Sequence, residues 1–200
     1  NAVTNYMPEG GLLTPDGQGN YSFDAASKYA KYNRNSKRFE LTKQTQSGNR
    51  DPLFTPFGND SDANRYSFGM NLGADFYMPK DGKVNNQNMV FDFTGDDDVW
   101  VFIDGVLVLD LGGIHQAIRG TIDFATGNIT YDRNQSYGSD RATTINQAFS
   151  NAGKNWDSAA YKTHHLSFFY LERGDGGSNC KISFNLPVKP SKAIDIEKQT

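Results

Sequence analysis

Residues Thr94 to Gly105 read TGDDDVWVFIDG, so three consecutive carboxylates, Asp96, Asp97 and Asp98, run straight into an apolar strand pattern. Adjacent like charges repel, and that repulsion costs stability unless water, hydrogen-bond donors or a cation offsets it. Two chemistries fit the residue types. Short carboxylates make turns by accepting hydrogen bonds from local backbone N–H groups. Alternatively they bind Ca²⁺, which takes about six to eight hard oxygen ligands and neutralises their mutual repulsion. Successive side chains of an extended chain point to opposite sides, so two neighbouring aspartates reach one ion only where the backbone between them is bent. A cis peptide is one way to bend it.

The remaining chemistry-bearing residues narrow the field. The three histidines, His115, His164 and His165, have no cysteine cluster and no helical i, i+4 partner, which is a poor zinc pattern. Asp60, Asp62 and Asn64 imitate the opening of an EF-hand loop, but Arg65 stands where glycine is needed and Asn71 where a bidentate glutamate belongs. That stretch reads as a surface loop. The RGD tripeptide at Arg173 to Asp175 sits between two strand patterns, which accounts for it without a receptor. Cys180 lies within the apolar pattern CKISFNL and reads as a small core residue. No Ser-His-Asp arrangement, phosphate-cradling loop or dinucleotide fingerprint occurs, and adjacent carboxylates do not straddle a glycosidic bond. An enzyme is not expected.

The elements that must position these residues are strands. Val90 to Thr94 alternates, Val99 to Asp104 follows, and Val106 to Leu111 comes after Asp104-Gly105, a dipeptide that favours a tight hairpin. Thr121 to Phe124 and Asn128 to Tyr131 flank a second hairpin turn, ATGN. His165 to Glu172 and Lys181 to Leu186 flank RGDGGSN and read as a third. In the central strand Val99, Val101 and Ile103 point one way, Trp100 and Phe102 the other, so both faces are apolar and Trp100 is expected in the core. The architecture implied is an all-β sandwich with long loops. Helical spacing is scarce: Phe23 to Tyr32, with Asp24 as N-cap, and part of Arg141 to Ala152 are the candidates.

Bulk properties agree. The 200 residues carry 20 basic and 23 acidic side chains, too balanced to mark a nucleic-acid or anionic-membrane partner. Mean hydropathy is -0.66, yet only 22% of residues are charged and 13% are aromatic, which fits a loop-rich globular domain. No apolar run is long enough to cross a membrane, and no signal-like segment opens the chain, so the stretch reads as part of a longer mature protein. Residues 1 to 187 are expected to form one domain. Two prolines and a polar, lysine-bearing run make residues 188 to 200 a linker to a further domain of the same protein.

Two segments, FTGDDDVWVFIDGVLVLDLGGIH from Phe93 to His115 and HHLSFFYLERGDGGSN from His164 to Asn179, resemble the bacterial fibro-slime domain. That domain is a branch of the family named after the fourteen-kilodalton fragment of anthrax protective antigen. The likeness extends from about Phe54, and residues 1 to 53 match nothing in it. It implies a β-sandwich from a bacterial cell-surface adhesin, with one Ca²⁺ held by two adjacent aspartates joined by a cis peptide. The ion would bind vicinal hydroxyls of host or microbial glycans directly. On this chain the pair falls at Asp96 and Asp97, with Asp98 where a glycine is usual. The loop between the last two strands would complete the shell through Asp175, Asn179 and Ser178. His115 and Gln116 after the central hairpin, together with Asp98 and Trp156, are expected to line the ligand site, Tyr137 and Tyr161 being further stacking candidates. A structural or protein-binding module of a surface fibre, with calcium merely stiffening loops, is the alternative.

Overall fold

The computed structural model describes residues 2–5, 11–44, 54–57, 66–113, 115–132, 141–173 and 178–185. Two antiparallel-dominated sheets face each other. The five-stranded sheet has the order β1 (Ala2–Asn5), β6 (Phe68–Tyr77), β15 (Thr163–Glu172), β10 (Asp98–Ile103), β11 (Val106–Asp110). The seven-stranded sheet runs β14 (Arg141–Thr144), β13 (Asn128–Asp132), β12 (Ile118–Asp123), β9 (Val90–Gly95), β16 (Cys180–Phe184), β3 (Tyr21–Asp24), β2 (Thr14–Pro15). Two small hairpins, β4 (Lys28–Asn33) with β5 (Arg38–Lys43) and β7 (Lys83–Val84) with β8 (Gln87–Asn88), decorate the sandwich. One short helix, α1 (Ile145–Asn151), is capped by the Thr144 hydroxyl accepting from the Gln147 N–H.

Alternation builds the core. In β6, Phe68, Met70, Leu72, Ala74 and Phe76 point inward, and in β15, His164, Leu166, Phe168, Tyr170 and Glu172 do the same. From the facing sheet Phe91 and Phe93 meet Phe168, and Phe93 reaches Tyr170, with ring centroids 5.5 to 6.2 Å apart. Offset and edge-on ring contacts of this kind are favourable beyond simple burial. Cys180 is fully buried, and burial raises its thiol pKa, as a core residue requires.

The sandwich follows the sequence expectation, with four local departures. The stretch from Phe23 to Tyr32 is not a helix: the Asp24 carboxylate accepts the Ala26 N–H at 2.9 Å and its carbonyl accepts the Ser27 N–H at 3.0 Å, turning β3 into β4. Only Ile145 to Asn151 of the second candidate is helical, preceded by β14. Trp100 and Phe102 lie half-buried on the outer face of the five-stranded sheet, not in the core. Finally, β15 and β16 belong to different sheets, so their connection is a crossover and not a hairpin. Residues 186–200, Asp60, Asp62, Asn64 and Tyr137 lie outside the described residues.

Candidate functional site

Because β9 lies in one sheet and β10 in the other, Asp96 and Asp97 are the step between layers. Gly95 shares a row with Ile118 of β12 and Cys180 of β16, while Asp98 sits opposite Leu171 of β15. The chain changes sheets twice more at this end, between β11 and β12 and between β15 and β16. Three crossovers therefore meet around the aspartates. The meeting is close: a Cβ on Gly95 would collide with the Asn179 carbonyl and the Phe93 ring. The bend that the sequence demands comes from Asp97 in the left-handed region, at φ 61°; among the described residues there is no cis peptide.

Asp96 and Asp97 turn to the two ends of the β15–β16 connection, and Asp98 to the β11–β12 connection and to Arg173. Asp96 Oδ1 accepts the backbone N–H of Asn179. Asp97 Oδ2 accepts the N–H of Arg173 at 2.6 Å. Asp98 Oδ1 accepts the N–H of Gly113 at 2.6 Å, and its Oδ2 pairs with the Nε of Arg173. The three aspartates are only 8%, 4% and 3% exposed, so water is not what separates their charges. Three backbone donors and one guanidinium do it instead, each charge-assisted hydrogen bond contributing on the order of 1.5–3 kcal/mol. The Arg173 side chain remains 51% exposed, with the rest of its fork at the surface.

Beneath them lies Glu172, 1% exposed on the inward parity of β15. Its carboxyl accepts from the Tyr170 hydroxyl at 2.8 Å and meets Ser178 and Asp97. Burial pushes its pKa up to about 8, with the neighbouring Asp97 adding to the rise while the Ser178 and Tyr170 hydroxyls oppose it. At neutral pH Glu172 is therefore mostly protonated and hydrogen-bonded to Asp97. The Ser178 hydroxyl donates to the Phe54 carbonyl at 2.7 Å, tying residues 54–57 into the same network.

The expected site residues divide accordingly. Asp96, Asp97, Asp98 and Asn179 come together, Asn179 through its backbone N–H. Ser178 lies under the aspartates with its hydroxyl turned into the core network. Asp175 is outside the described residues. His115 and Gln116 sit on the neighbouring β11–β12 connection: the His115 ring nitrogens lie 2.9 and 2.8 Å from the carbonyls of Gln116 and Leu111, and Gln116 is exposed. Trp156 does not join them. It stacks on His164 at 4.3 Å, and His164 lies seven positions before Leu171 on β15, about 23 Å from the aspartate end. Tyr161, 72% exposed, lies in the segment that leads into β15 at Trp156's end.

Asp175, expected to complete a calcium shell, lies outside the described residues. Among the described residues no group of three or more His, Cys, Asp or Glu side chains is arranged to hold a metal ion. The aspartates accept from Asn179, Arg173 and Gly113, and Arg173 stands against Asp98. Arg173 and Glu172 are the site members that sequence reasoning passed over. The signal for Glu172 was present: a charged residue in phase with Leu166, Phe168 and Tyr170 has to face the core.

No family model matches the chain. Among curated proteins it is similar to segments of Dictyostelium discoideum psi proteins: psiF, 35% identical over 127 residues, and psiP, 42% identical over 119. These alignments cover 64% and 60% of this chain but 15% and 11% of the relatives. A third, psiO, is 32% identical over 135 residues, 68% of this chain and 14% of psiO. The chain thus spans at most about a seventh of their length. A β-D-glucuronidase structure from Dictyoglomus thermophilum aligns over 91% of this chain and 30% of its own at 8% identity, with a TM-score of 0.26, too low to carry fold or activity across. These findings overturn the expected bacterial fibro-slime adhesin and its bacterial cell-surface location: the relatives are proteins of a eukaryote, and no family model supports that assignment.

Proposed function

We propose that this chain is a non-catalytic glycan-binding module that receives neutral sugars with vicinal hydroxyls at the end of the sandwich where the three crossovers meet. One observation carries the reading. Arg173 is anchored from both sides, its N–H on Asp97 and its Nε on Asp98, while half of its side chain faces solvent on the same sheet face as Leu171 and Trp100. A planar fork held on Asp98 suits a diol, whose oxygens accept from it, and Trp100, two positions along β10 from Asp98, offers a half-buried ring for a sugar C–H face. Exposed Gln116 on the adjoining connection adds amide groups. Calcium has no step in this binding mode.

Catalysis is not part of the proposal, although a raised carboxyl pKa is a feature of many active sites. Glu172 and Asp97 are in contact with each other and closed to solvent, whereas a glycosidase pair flanks a substrate bond across a cleft of about 5–10 Å.

The test is a glycan panel probed with wild type and Arg173→Lys, in EDTA and in millimolar calcium. Wild type is expected to bind neutral glycans equally in both buffers. Arg173→Lys keeps the charge beside Asp98 and loses the fork, and is expected to bind about tenfold more weakly with little change in thermal midpoint. Absence of glycan binding in both buffers overturns the proposal. Binding that appears only with calcium replaces it with a metal-mediated mode.

A further inference from the structure

Resting on that glycan reading, we infer that the outer face of the five-stranded sheet extends the site into a platform for a flat, β-1,4-linked neutral oligosaccharide. The inner face of β10 is sealed, with Val99, Val101 and Ile103 fully buried. The outer face is not. Trp100 and Phe102 are half-buried, and Leu107, Phe169 and Leu171 are 38–39% exposed. The register places all five side by side: Trp100 opposite Phe169, Phe102 opposite Leu107, and Leu171 opposite Asp98. Phe102 and Phe169 meet edge to face at 5.7 Å, which fixes both rings.

Shape and size decide the occupant. Along β10 the platform runs from Asp98 to Phe102, about 13 Å, and across β15, β10 and β11 it is about 10 Å wide. Trp100 and Phe102 are two positions apart, so successive rings of an extended sugar chain can each find an aromatic surface. Large side chains bury about 150–250 Å² each, so these exposed fractions sum to roughly 350 Å². A stable dimer needs about 800 Å² per partner, so a second copy of the chain is a poor fit. A sheet face without deep clefts instead matches the flat ribbon of a β-1,4-linked chain, whose C–H faces are its apolar surface. Arg173 is paired with Asp98 and His165 with Asp75 at 2.6 Å, and Asp110, opposite Trp100, accepts the Gly112 N–H at 2.9 Å, so the margin offers no unpaired cation to an anionic ligand.

The experiment is calorimetric titration with β-1,4-linked glucose and N-acetylglucosamine oligomers of one to six units. Affinity is expected to rise at least tenfold between two and four units. Phe169→Ser and Leu171→Ser, at partly exposed positions, should reduce hexamer affinity to the dimer's level without moving the thermal midpoint. Length-independent affinity, unaltered hexamer binding by both variants, or binding confined to glycans of other linkages overturns this inference while the crossover-end site stands. Failure of wild type to bind any member of the broader panel overturns the parent proposal as well. A wild-type dimer in sedimentation that either variant splits, with sugar binding unchanged, assigns the face to self-association and overturns it too.

Discussion

Replacing Glu172 by glutamine should remove a pH dependence that this single buried carboxyl imposes on the fold. In the unfolded chain Glu172 titrates near 4.5, while in the folded protein burial and the adjacent Asp97 push it up to about 8. Between these values the folded state holds a proton that the unfolded state has released, so stability falls as pH rises and the contribution is gone above about pH 8. At about 1.4 kcal/mol per pH unit of displacement, the term is worth roughly 4 kcal/mol at pH 5, roughly 1 at pH 7 and close to zero at pH 9. Glutamine reproduces the protonated group: its amide donates to Asp97 and its carbonyl accepts from Tyr170. Urea unfolding of both proteins at pH 5, 7 and 9 isolates the effect, because every other titrating group is common to the pair. Glu172→Gln should gain on wild type by roughly 2–3 kcal/mol from pH 5 to pH 7 and by roughly another 1 from pH 7 to pH 9. Parallel pH profiles for the two proteins would refute the shared-proton account of Glu172 and Asp97.

Two further outcomes follow from the same geometry. Gly95→Ala forces a methyl into the Asn179 carbonyl and the Phe93 ring and should cost on the order of 1–3 kcal/mol in chemical denaturation. Arg173→Ala strands the buried Asp98 carboxylate and should destabilise by about 2 kcal/mol, below the 3–5 typical of fully buried pairs because the guanidinium is half exposed. Asp98→Asn retains an acceptor for the Gly113 N–H, so it should cost less than Arg173→Ala; the reverse order in thermal midpoints would argue against the pairing.

Much of the sandwich was legible because its strands obey local rules. Alternation marked β9, a run apolar on both faces marked β10, the ATGN turn marked β12 with β13, and the Asp104-Gly105 pair, both at positive φ, marked the β10–β11 hairpin. β6 escaped because FGMNLGADFY interleaves its inward residues with two glycines, Asn71 and Asp75, residues that depress strand propensity although pairing on both sides holds them extended. The apolar spacing of Phe23 to Tyr32 suited a helix, yet an aspartate turn breaks it. RGDGGSN was misread for a more general reason. A glycine-rich stretch between two strands signals a change of direction, and whether it closes a hairpin or changes sheets depends on partners far away in sequence, here β10 for β15 and β9 for β16. Outward exposure of Trp100 is likewise non-local, since an apolar strand face stays open unless another element covers it.

The crowding of three aspartates therefore has an architectural explanation that constrains any function placed on it. Alternation and the left-handed Asp97 send the carboxylates toward the two neighbouring crossovers, Asp96 and Asp97 to opposite ends of the β15–β16 connection and Asp98 to the β11–β12 connection, and moving any one by a single position would lose its donor. Contacts of this sort also penalise alternative registers, because a misplaced carboxylate would be buried without a partner. The same arrangement immobilises Arg173 before any ligand arrives, which lowers the ordering cost that a long side chain ordinarily adds to binding. Recognition through Arg173 should then depend on Asp97 and Asp98 even though both are shielded from solvent. Asp98→Asn ought to weaken glycan binding through a freer guanidinium while leaving the aromatic platform, and hence the ratio of hexamer to dimer affinity, unchanged.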